Sequence, residues 1–545
     1  MLFQQPVNAF ISSVSTILNN MPIKYRRTSI GLLTGFSLLV VGCASTHQAS
    51  PNNSSDQIVT ESRLKKIKTI VVIYAENRSF DNLYGLFPGA NGIANALAQP
   101  DTYLQRDRDG KTLLPSLPTV WNSRDPNWTF VGSLPNKPFQ IDAQPGGSPS
   151  MRGIQAASPD LTHRFYNHQL QIHAGRNDQF AAFSNAGGLT MGYYDGSNMA
   201  MWRLAQQYTL ADNFFMAAYG GSFLNHFWLV CACTPSMDKA PDGRVSILDP
   251  HTGQLAVKPG SAMQAAPDYA GDFNFTPADP MTHRSYAVDL TQPPFQPSGT
   301  PPAKNGNALL ADMNAKGAAA PLAPQSEKTI GDTLSEKHID WTWYAGAWRL
   351  ALIDGTQSPE KPRQVIFNKA KGAANFQAHH QPFNYFSRFA PSTETGREQR
   401  AQHLKDYTDL QTDIANGTLP AVVFYKPQGS LNQHPGYTDV MSGDTHIADV
   451  VKQLQASPQW PNMFIIVTYD ENGGFWDHVP PPQADRWGPG TRIPAIFISP
   501  FVKKHHIDNT LYDTTSIIKF ITRRFNLEPL SGVRKNMGDL TNMLE

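Results

Sequence analysis

Residues 67–81 have the sequence IKTIVVIYAENRSFD. The first part, Ile67–Tyr74, is rich in β-branched residues and nearly continuous in apolar character, which is typical of a strand covered on both faces in a parallel sheet. The second part is polar, and Glu76, Asn77 and Asp81 follow the strand closely. Because open α/β sheets bind ligands at the carboxyl ends of their strands, this stretch predicts the fold class and the sheet edge that carries a site.

Similar apolar stretches recur at Ala421–Tyr425, Met463–Tyr469 and Ile493–Ser499. Between the first two, residues 444–455 carry apolar side chains at the spacing i, i+3, i+4 and i+7, which predicts an amphipathic helix. A strand, a helix and a strand in this order predict a βαβ unit with parallel strands. We therefore expect an α/β fold with a mostly parallel central sheet flanked by helices. Two further predicted elements are a strand at Thr209–Phe215 and a last helix near Thr514–Phe525.

The composition of the 545-residue chain excludes several classes of protein. Hydrophobic residues make up 40%, enough for a sizeable core, whereas charged residues make up 16%, against about 25% in an average globular chain. This argues against a coiled coil or a charge-driven disordered chain. The 43 prolines and 40 glycines predict long irregular loops. The net charge of +1 gives no indication of nucleic acid or an anionic membrane surface as a partner.

The N-terminal segment predicts export. Basic residues at 24–27 precede the apolar stretch Ile30–Gly42, which is too short to span a membrane and is typical of a signal peptide. The following Cys43 resembles the lipidated cysteine of a bacterial lipobox, although Val40 stands where leucine is usual. We expect an outer-membrane lipoprotein of the bacterial cell envelope, facing the periplasm or the surface, or a secreted protein. An uncleaved anchor helix or an ordinary signal peptide is the alternative, and the true start is Met1 or Met21.

The other cysteines, Cys231 and Cys233, lie two residues apart in an apolar run. Three cysteines in a chain of this length make no disulfide framework, so we predict two buried thiols. A metal pair would require further Cys or His at ligand spacing. The predicted organisation is a signal peptide at 1–42, a flexible tether at 43–64, a catalytic core at 65–233 and 331–530, a loop-rich insertion or subdomain of unassigned role at 234–330, and a C-terminal tail at 531–545.

Polar residues follow four of the predicted strands. Carboxylate, amide and hydroxyl oxygens together with imidazole nitrogens suit a divalent cation placed for phosphoryl chemistry. Each segment alone could be a helix cap, a solvated turn or a surface loop, but their coincidence at strand ends favours one shared site. The segments are Glu76-Asn77, Gly220-Gly221-Ser222, Asn432-Gln433-His434 and Asp470-Glu471-Asn472.

Ser222 is the best candidate nucleophile. Gly220 and Gly221 allow a close approach of the backbone, and residues 223–230 have a helical pattern. The hydroxyl would therefore lie at a helix N-terminus, where the helix dipole favours an alkoxide.

These segments resemble the bacterial phosphoesterase family that contains the phospholipases C and the respiratory-burst-inhibiting acid phosphatases, within the alkaline-phosphatase-like superfamily. The resemblance extends from about residue 65 to residue 530, with residues 234–330 unaligned. It is carried by residues 71–81, 160–163, 177–180, 221–222, 378–383, 469–479 and 514–521.

The resemblance implies one divalent metal ion, which could be Ca, Mg, Mn or Zn. It also implies that Ser222 attacks phosphorus and forms a phosphoserine, with a protonated histidine donating to the leaving oxygen at mildly acidic pH. The implied metal ligands are Glu76, Asn77, Ser222, Asp470 and Glu471.

Histidines around the phosphate are a further implication of the resemblance. His168 and His379 are alternatives to two of the candidates. His478 is a reserve candidate, for which a supporting role in the loop of Asp470 is the more ordinary interpretation. The candidates are His163, His380 and His434.

The predicted activity is that of a metal-dependent acid phosphatase acting on phosphate monoesters. Serine at position 222 favours the phosphatase branch over the phospholipases, which typically have threonine. The chain also ends soon after its last predicted helix, so we expect the appended C-terminal domains of many phospholipases to be missing. A phospholipase C or another phosphodiesterase is the alternative, and a lipid-anchored surface protein with a structural metal is the non-enzymatic one.

A sulfatase-like activity is disfavoured, because the residues after Ser222 lack the proline and arginine of the sulfatase modification motif. The predicted substrates are phosphate monoesters or phospholipid head groups. No nucleic acid is expected as a partner, and the membrane is expected to be contacted only through the lipid anchor on Cys43.

Overall fold

The computed structural model of the protein describes residues 51–119, 134–143, 153–238, 246–252, 254–257, 260–264, 285 and 287–545. The predicted signal peptide and Cys43 lie outside the described residues. Within the described part of the chain, no helix is both long enough and apolar enough to cross a bilayer. Ser55–Glu545 form a single unit, which is organised around one large sheet.

Twelve strands are found in the described residues, and eight of them form the central sheet. Those that contribute most to it are rich in β-branched and aromatic side chains and are buried along their whole length. The strands are β1 (Thr69–Ala75), β2 (Phe139–Gln140), β3 (Gly192–Tyr193), β4 (Thr209–Ala211), β5 (Phe214–Phe215), β6 (Trp341–Ala345), β7 (Leu404–Asp406), β8 (Val422–Lys426), β9 (Met463–Tyr469), β10 (Ala495–Ile498), β11 (His506–Asp508) and β12 (Tyr512–Asp513).

The strand order of the central sheet is β11-β4-β10-β9-β1-β8-β6-β7. Strand β1 lies in the middle and is parallel to both β8 and β9. The register pairs Ala75 with Tyr469, the last residues of β1 and β9. The residues that follow these strands, Glu76 and Asp470, therefore lie side by side at one edge of the sheet.

The predicted α/β class with a mostly parallel, helix-flanked sheet is confirmed, but some details of the sheet differ. The stretch Ile493–Ser499 forms β10, which is antiparallel to both of its neighbours. The predicted strand Thr209–Phe215 is two short strands, of which β5 pairs with β12 outside the central sheet. Apolar pattern identifies a buried strand but carries no information about its direction, which explains the error for β10.

The predicted βαβ unit is present with Val440–Ala456 (α11) as its helix, but β1 lies between its two strands in the sheet. Helix α11 packs against both Ala200–Gln207 (α5) and Tyr407–Asn416 (α10), and Ser222–Val230 (α6) packs against Thr515–Phe525 (α12). The helices are α1 (Pro51–Lys66), α2 (Phe80–Tyr84), α3 (Ile93–Leu97), α4 (Phe165–Ile172), α5 (Ala200–Gln207), α6 (Ser222–Val230), α7 (Ile330–Glu336), α8 (Trp348–Thr356), α9 (Glu394–His403), α10 (Tyr407–Asn416), α11 (Val440–Ala456) and α12 (Thr515–Phe525).

Part of the predicted flexible tether is helical, because α1 begins at Pro51. Its last turns are attached to the core. Leu64 is buried, and the Glu61 carboxylate lies 2.6 Å from the Arg523 guanidinium of α12. The polar composition of residues 51–64 is typical of a flexible segment, so the sequence did not predict these two contacts with the core.

The prediction of two free thiols is wrong, because Cys231 and Cys233 form a disulfide. Their Cα atoms are 5.1 Å apart, within the range that a disulfide requires. Two cysteines in an apolar run fit either state, so the sequence pattern could not distinguish them. The disulfide follows directly after α6, the helix that begins with Ser222.

The segment 234–330 is described only in part. An antiparallel bridge joins Leu248 and Leu255. Most of residues 287–300 are buried. Asp289 from this stretch reaches the site described below, so the segment contributes to more than the surface of the molecule.

Candidate active site

The edge formed by the ends of β1 and β9 brings the motifs Glu76-Asn77 and Asp470-Glu471-Asn472 together. The backbone N–H of Asn77 donates to Asp470 Oδ1 at 3.0 Å. Asn77 adopts a left-handed conformation, with φ of 64°. Gly473 packs against it so closely that a Cβ atom there would lie 2.2 Å from the Asn77 carbonyl oxygen. Only glycine fits at position 473, where φ is also positive.

Ser222 lies at the first position of α6, as its glycine-rich approach predicts. Its hydroxyl is 3.2 Å from Asn77 Oδ1 and 3.4 Å from Glu471 Oε1. A Cβ atom at Gly221 would lie 1.4 Å from Asp289 Oδ1, so the carboxylate of Asp289 occupies the space that the missing side chain leaves. The hydroxyl of the candidate nucleophile thus contacts two of the predicted site residues, and Asp289 lies beside the glycine that precedes it.

Glu76 is fully buried and is contacted by several polar groups. Its Oε1 lies 3.0 Å from the Lys426 ammonium and 2.5 Å from His380 Nε2, and its Oε2 accepts from the Tyr437 hydroxyl at 3.2 Å. Burial alone would raise the pKa of Glu76, but Lys426 and then His380 lower it well below its usual range. Glu76 is therefore anionic at neutral pH.

His163 and His434 also lie at the site, each within 4 Å of one of its carboxylates. His163 Nε2 is 3.5 Å from Asp289 Oδ1 and 3.8 Å from Glu471 Oε1, and its Nδ1 bonds the Leu161 carbonyl at 2.6 Å. Burial lowers the pKa of His163, but the carboxylates of Asp289, Glu471 and Asp160 raise it to about 10. His163 is therefore a cation in the neutral range. The ring of His434 is edge-on to that of His163, with centroids 5.9 Å apart, and its Nε2 is 3.7 Å from Glu76 Oε2.

The structure places the alternative histidines differently. His168 Nε2 bonds the Thr491 hydroxyl, and its Nδ1 accepts from the Gly220 N–H, so it supports the loop before Ser222. His379 is 3.7 Å from Glu76, and neither of its ring nitrogens has a hydrogen-bond partner among the described residues. Of the neighbouring pair, His380 is bound to Glu76, whereas His379 keeps both nitrogens available.

The carboxylates of the site fit a divalent cation. Glu76, Asp470 and Glu471 are all fully buried, and Asp470 Oδ2 has no hydrogen-bond partner among the described residues. Burial raises the pKa of Asp470 to about 6 and that of Glu471 well above its usual range. The protein therefore does not fully compensate the negative charge of either carboxylate. Oxygen donors with uncompensated negative charge are the ligands that hard divalent cations bind.

Several side chains in the site were not predicted. Lys426 is the last residue of the buried strand β8, where a lysine is unusual enough to have been a signal. His226 lies one turn after Ser222 in α6, and its Nδ1 bonds the Ser222 carbonyl at 2.7 Å. Asp289 comes from residues 234–330, which the motifs quoted in the sequence analysis leave unaligned. The stacking of Tyr437 on His434 gave no signal in the sequence.

A buried charged cluster holds the two loops of the site together. Asp477 accepts from Arg492 Nε at 2.8 Å and from the Asp81 N–H at 3.1 Å. Asp81 Oδ2 in turn accepts from the N–H of His478 at 2.8 Å and lies 2.6 Å from its Nδ1. The interpretation of His478 as a supporting histidine is therefore the one that the geometry favours. The cluster connects the loop of Glu76 to the loop of Asp470.

We expect the replacement His478→Gln to destabilise the protein by about 1–3 kcal/mol, because it removes one partner of a buried charged hydrogen bond. The Asp81 and Asp477 carboxylates raise the pKa of His478 against the effect of burial. The contribution of protonated His478 to the free energy of unfolding is therefore complete below the unfolded-state pKa of about 6.5, and it is lost as the pH rises through the folded-state pKa. Burial raises the pKa of Asp81, but His478 and Arg492 lower it overall, so its contribution is lost on acidification below about pH 4.

The difference in melting temperature between the wild type and this variant should therefore be largest between about pH 4 and 6.5. Thermal unfolding across pH measures it. His505→Gln, in an exposed histidine, is the control and should show no such maximum. A difference for His478→Gln that is constant across this range would show that the charge of His478 contributes nothing.

Comparisons with known proteins agree with this geometry. The phosphoesterase family matches residues 67–528. A non-hemolytic phospholipase C of Burkholderia pseudomallei is 31% identical over 144 residues, which cover 22% of this chain and 20% of that protein. Phospholipase C B of Mycobacterium tuberculosis is 22% identical over 497 residues, covering 85% of this chain and 74% of that protein. A non-hemolytic phospholipase C of Pseudomonas aeruginosa is 22% identical over 515 residues, covering 88% of this chain and 57% of that protein.

The chain thus spans between a fifth and three quarters of the length of these relatives. Similar solved structures include the sulfatase PsFucS1 from Pseudoalteromonas sp., with a TM-score of 0.34, 9% identity and coverage of 91% of this chain and 76% of that one. A protein in the alkaline phosphatase superfamily from Vibrio parahaemolyticus has a TM-score of 0.27 and 10% identity, and the match covers 65% of each chain.

The family match and the phospholipase C relatives support hydrolysis of a phosphoric ester as the chemistry of the site. The match extends from the start of β1 to just beyond α12 and so includes every strand of the central sheet. The family resemblance predicted from the motifs is confirmed, and the protein is a member of the phosphoesterase family.

Proposed function

We propose that the protein hydrolyses the phosphodiester bond of phospholipids or their head groups, as a phospholipase C does, with Ser222 as the nucleophile. The observation that carries the proposal is the position of the Ser222 hydroxyl, within 3.4 Å of both Asn77 and Glu471 at the edge of the sheet. The choice of a diester rests on the relatives, which are named phospholipases C. This differs from the acid phosphatase that the sequence alone favoured.

The predicted ligands Glu76, Asn77, Ser222, Asp470 and Glu471 would hold one divalent ion, which supplies positive charge that polarises the phosphate and favours the serine alkoxide. These side chains come from the ends of β1 and β9 and from the start of α6. Because all are buried, their charges act in a medium of low dielectric constant, where electrostatic stabilisation is strong.

The proposed reaction has two steps. In the first step the Ser222 hydroxyl gives its proton to Glu471, the carboxylate to which it donates, and its Oγ atom forms a bond to phosphorus. The bond to the leaving oxygen breaks, and His163 donates a proton to that oxygen. In the second step a water molecule gives a proton back to His163 and bonds to phosphorus, the bond from phosphorus to Ser222 Oγ breaks, and Glu471 returns its proton to Oγ. His163 suits the role of donor because the carboxylates around it keep it protonated in the neutral range. In this proposal the ring nitrogens of His379, which have no hydrogen-bond partner among the described residues, contact phosphate oxygens.

Hydrolysis of phosphate monoesters is the second candidate. It is favoured by the serine at position 222, since the resemblance associates serine with the phosphatase branch. Export and lipid attachment at Cys43 are a further part of the proposal, and would place the enzyme in the cell envelope near phospholipid substrates.

We expect the value of kcat/KM for p-nitrophenylphosphorylcholine, a diester, to exceed that for p-nitrophenyl phosphate, a monoester, by about tenfold or more, which corresponds to about 1.4 kcal/mol of transition-state stabilisation. Both substrates release the same coloured product, so one assay compares them across pH. Phosphatidylcholine vesicles provide the lipid substrate. The reverse ratio, with no release of diacylglycerol from vesicles, would assign the protein to the phosphatases.

A further inference from the structure

Helix α8 presents two large apolar side chains to solvent. Ile353 is 70% exposed, the highest value among the large apolar residues of the described chain, and Leu350 is 54% exposed. The two residues are three positions apart, so they are neighbours on the surface of the helix. Trp348 and Ala351, on another face of α8, are buried in the core. The fold therefore leaves one apolar face of this helix uncovered.

The segment that follows α8 is attached to this helix and carries a local excess of positive charge. The Asp354 carboxylate, next to Ile353, accepts from the backbone N–H groups of three successive residues, 364–366, at 2.8 to 2.9 Å. Residues 361–376 contain three lysines and one arginine and no acidic residue. The net charge of +1 for the whole chain conceals this basic segment. Its exposed lysines are Lys361, Lys369 and Lys371.

The basic segment reaches the opening of the candidate active site. The Lys369 ammonium lies 5.1 Å from the centre of the Tyr437 ring and 4.0 Å from Asp160 Oδ2. The side chains of Lys369 and Asp160 are both exposed, whereas the Tyr437 hydroxyl donates to the fully buried Glu76. Tyr437 thus connects the solvent side of the opening to its interior. The apolar face of α8 and the lysines after it therefore belong to one packed segment that ends at this opening.

An apolar helix face bordered by lysines fits the interface of a lipid bilayer. Apolar side chains enter the boundary between the head groups and the acyl chains, and lysines near the surface attract anionic lipids. The hydroxyl of Ser222 lies in a buried site. The head group of a lipid that stays in its bilayer can reach this hydroxyl only if the opening of the site lies against the lipid surface.

We propose that the apolar face of α8 and the exposed lysines after it form one docking surface for a phospholipid bilayer that contains anionic lipids. The docking surface consists of Leu350, Ile353, Lys361, Lys369 and Lys371. The inference rests on the proposed function for its choice of a bilayer as the partner. It adds a contact made by the folded core to the lipid anchor on Cys43, which the sequence alone suggested as the single membrane contact.

The test is co-sedimentation of the full chain with vesicles of phosphatidylcholine alone and of phosphatidylcholine and phosphatidylglycerol in equal amounts. Every protein carries Cys43→Ser, which removes lipid attachment at that position, and Ser222→Ala, which prevents the proposed turnover. We expect Leu350→Gln with Ile353→Gln to weaken binding to both kinds of vesicle by about tenfold or more, because insertion of apolar side chains is lost. Lys361→Gln with Lys371→Gln should weaken binding by about tenfold on the anionic vesicles only, and high salt should remove this difference.

Leu113→Gln with Ile247→Gln is the matched control, because these side chains are 47% and 58% exposed but lie outside α8. It should bind vesicles as the parent protein does. Unchanged binding by the α8 variant, or an equal loss in the control, would overturn the proposal. Hydrogen exchange of the parent protein gives a readout that needs no variant. Residues 348–356 and 361–373 should gain protection on anionic vesicles, and no gain there would overturn the proposal as well.

Sedimentation velocity without vesicles tests a second copy of this chain as the occupant of the same face. A dimer that the α8 variant converts to a monomer, with no binding to vesicles, would assign the face to self-association and overturn the proposal. Turnover of the soluble p-nitrophenylphosphorylcholine is measured separately, with Ser222 intact. Docking without this turnover would contradict the proposed function alone, whereas turnover without docking would contradict the present inference alone.

Discussion

The variant Ser222→Ala should lose phosphoester hydrolysis by about 10³-fold or more in kcat, because covalent catalysis then lacks its nucleophile. The Ser222 hydroxyl is the one that lies beside Asn77 and Glu471. Alanine removes only one oxygen atom and keeps the start of α6, so the fold should be preserved. The measurement is single-turnover and steady-state release of p-nitrophenol from the diester substrate.

A second readout of the same experiment is the phosphoenzyme itself. Acid quenching of the wild type during turnover of p-nitrophenylphosphorylcholine should trap one phosphorylcholine group, the part of the substrate that remains after p-nitrophenol leaves, on the peptide that contains Ser222, and the variant should show none. Ser442→Ala, an exposed serine at the start of α11, is the matched control and should retain wild-type turnover. Retention of more than about a tenth of the wild-type rate by Ser222→Ala would remove this residue from the mechanism.

The variant Asp470→Ala should lose both the bound metal and activity, with turnover falling by about 10³-fold. Asp470 has two functions in the site. Its Oδ1 accepts from the Asn77 N–H and so fixes the neighbouring loop, while its Oδ2 has no hydrogen-bond partner among the described residues and remains available as a ligand. Elemental analysis of the purified variant, together with its turnover, measures the effect.

The control for this prediction is a buried carboxylate elsewhere. Asp444 caps the start of α5 through the N–H groups of Ala200 and Met201. Asp444→Asn should lower stability but leave the metal content unchanged. If Asp470→Ala retained a full complement of metal, the proposed ligand set would be wrong, even if the variant were inactive.

The sequence was sufficient to predict the centre of the fold, because the residues of β1 and β9 are apolar over their whole length and end in polar motifs. The juxtaposition of Glu76 and Asp470 followed from general knowledge of strand ends. The same reasoning placed Ser222 at the start of a helix, where the structure has it.

Other parts of the site depend on long-range packing that local pattern does not encode. Asp289 lies in an irregular stretch, and its carboxylate reaches His163 only because Gly221 leaves room for it. Lys426 follows four apolar residues, and its ammonium is stabilised by carboxylates from two other strand ends. The antiparallel direction of β10 is likewise set by a connection of loops after β9, which apolar periodicity does not reveal.

The pairing of Ala75 with Tyr469 has a consequence for attempts to redesign this protein. A deletion or duplication of one residue within either strand would shift its end by about 3.3 Å and direct the next side chain to the opposite face. Glu76 and Asp470 could then no longer meet, although every amino acid of both motifs would still be present. Changes of length should therefore be tolerated in the surface connections and should abolish function in the two middle strands.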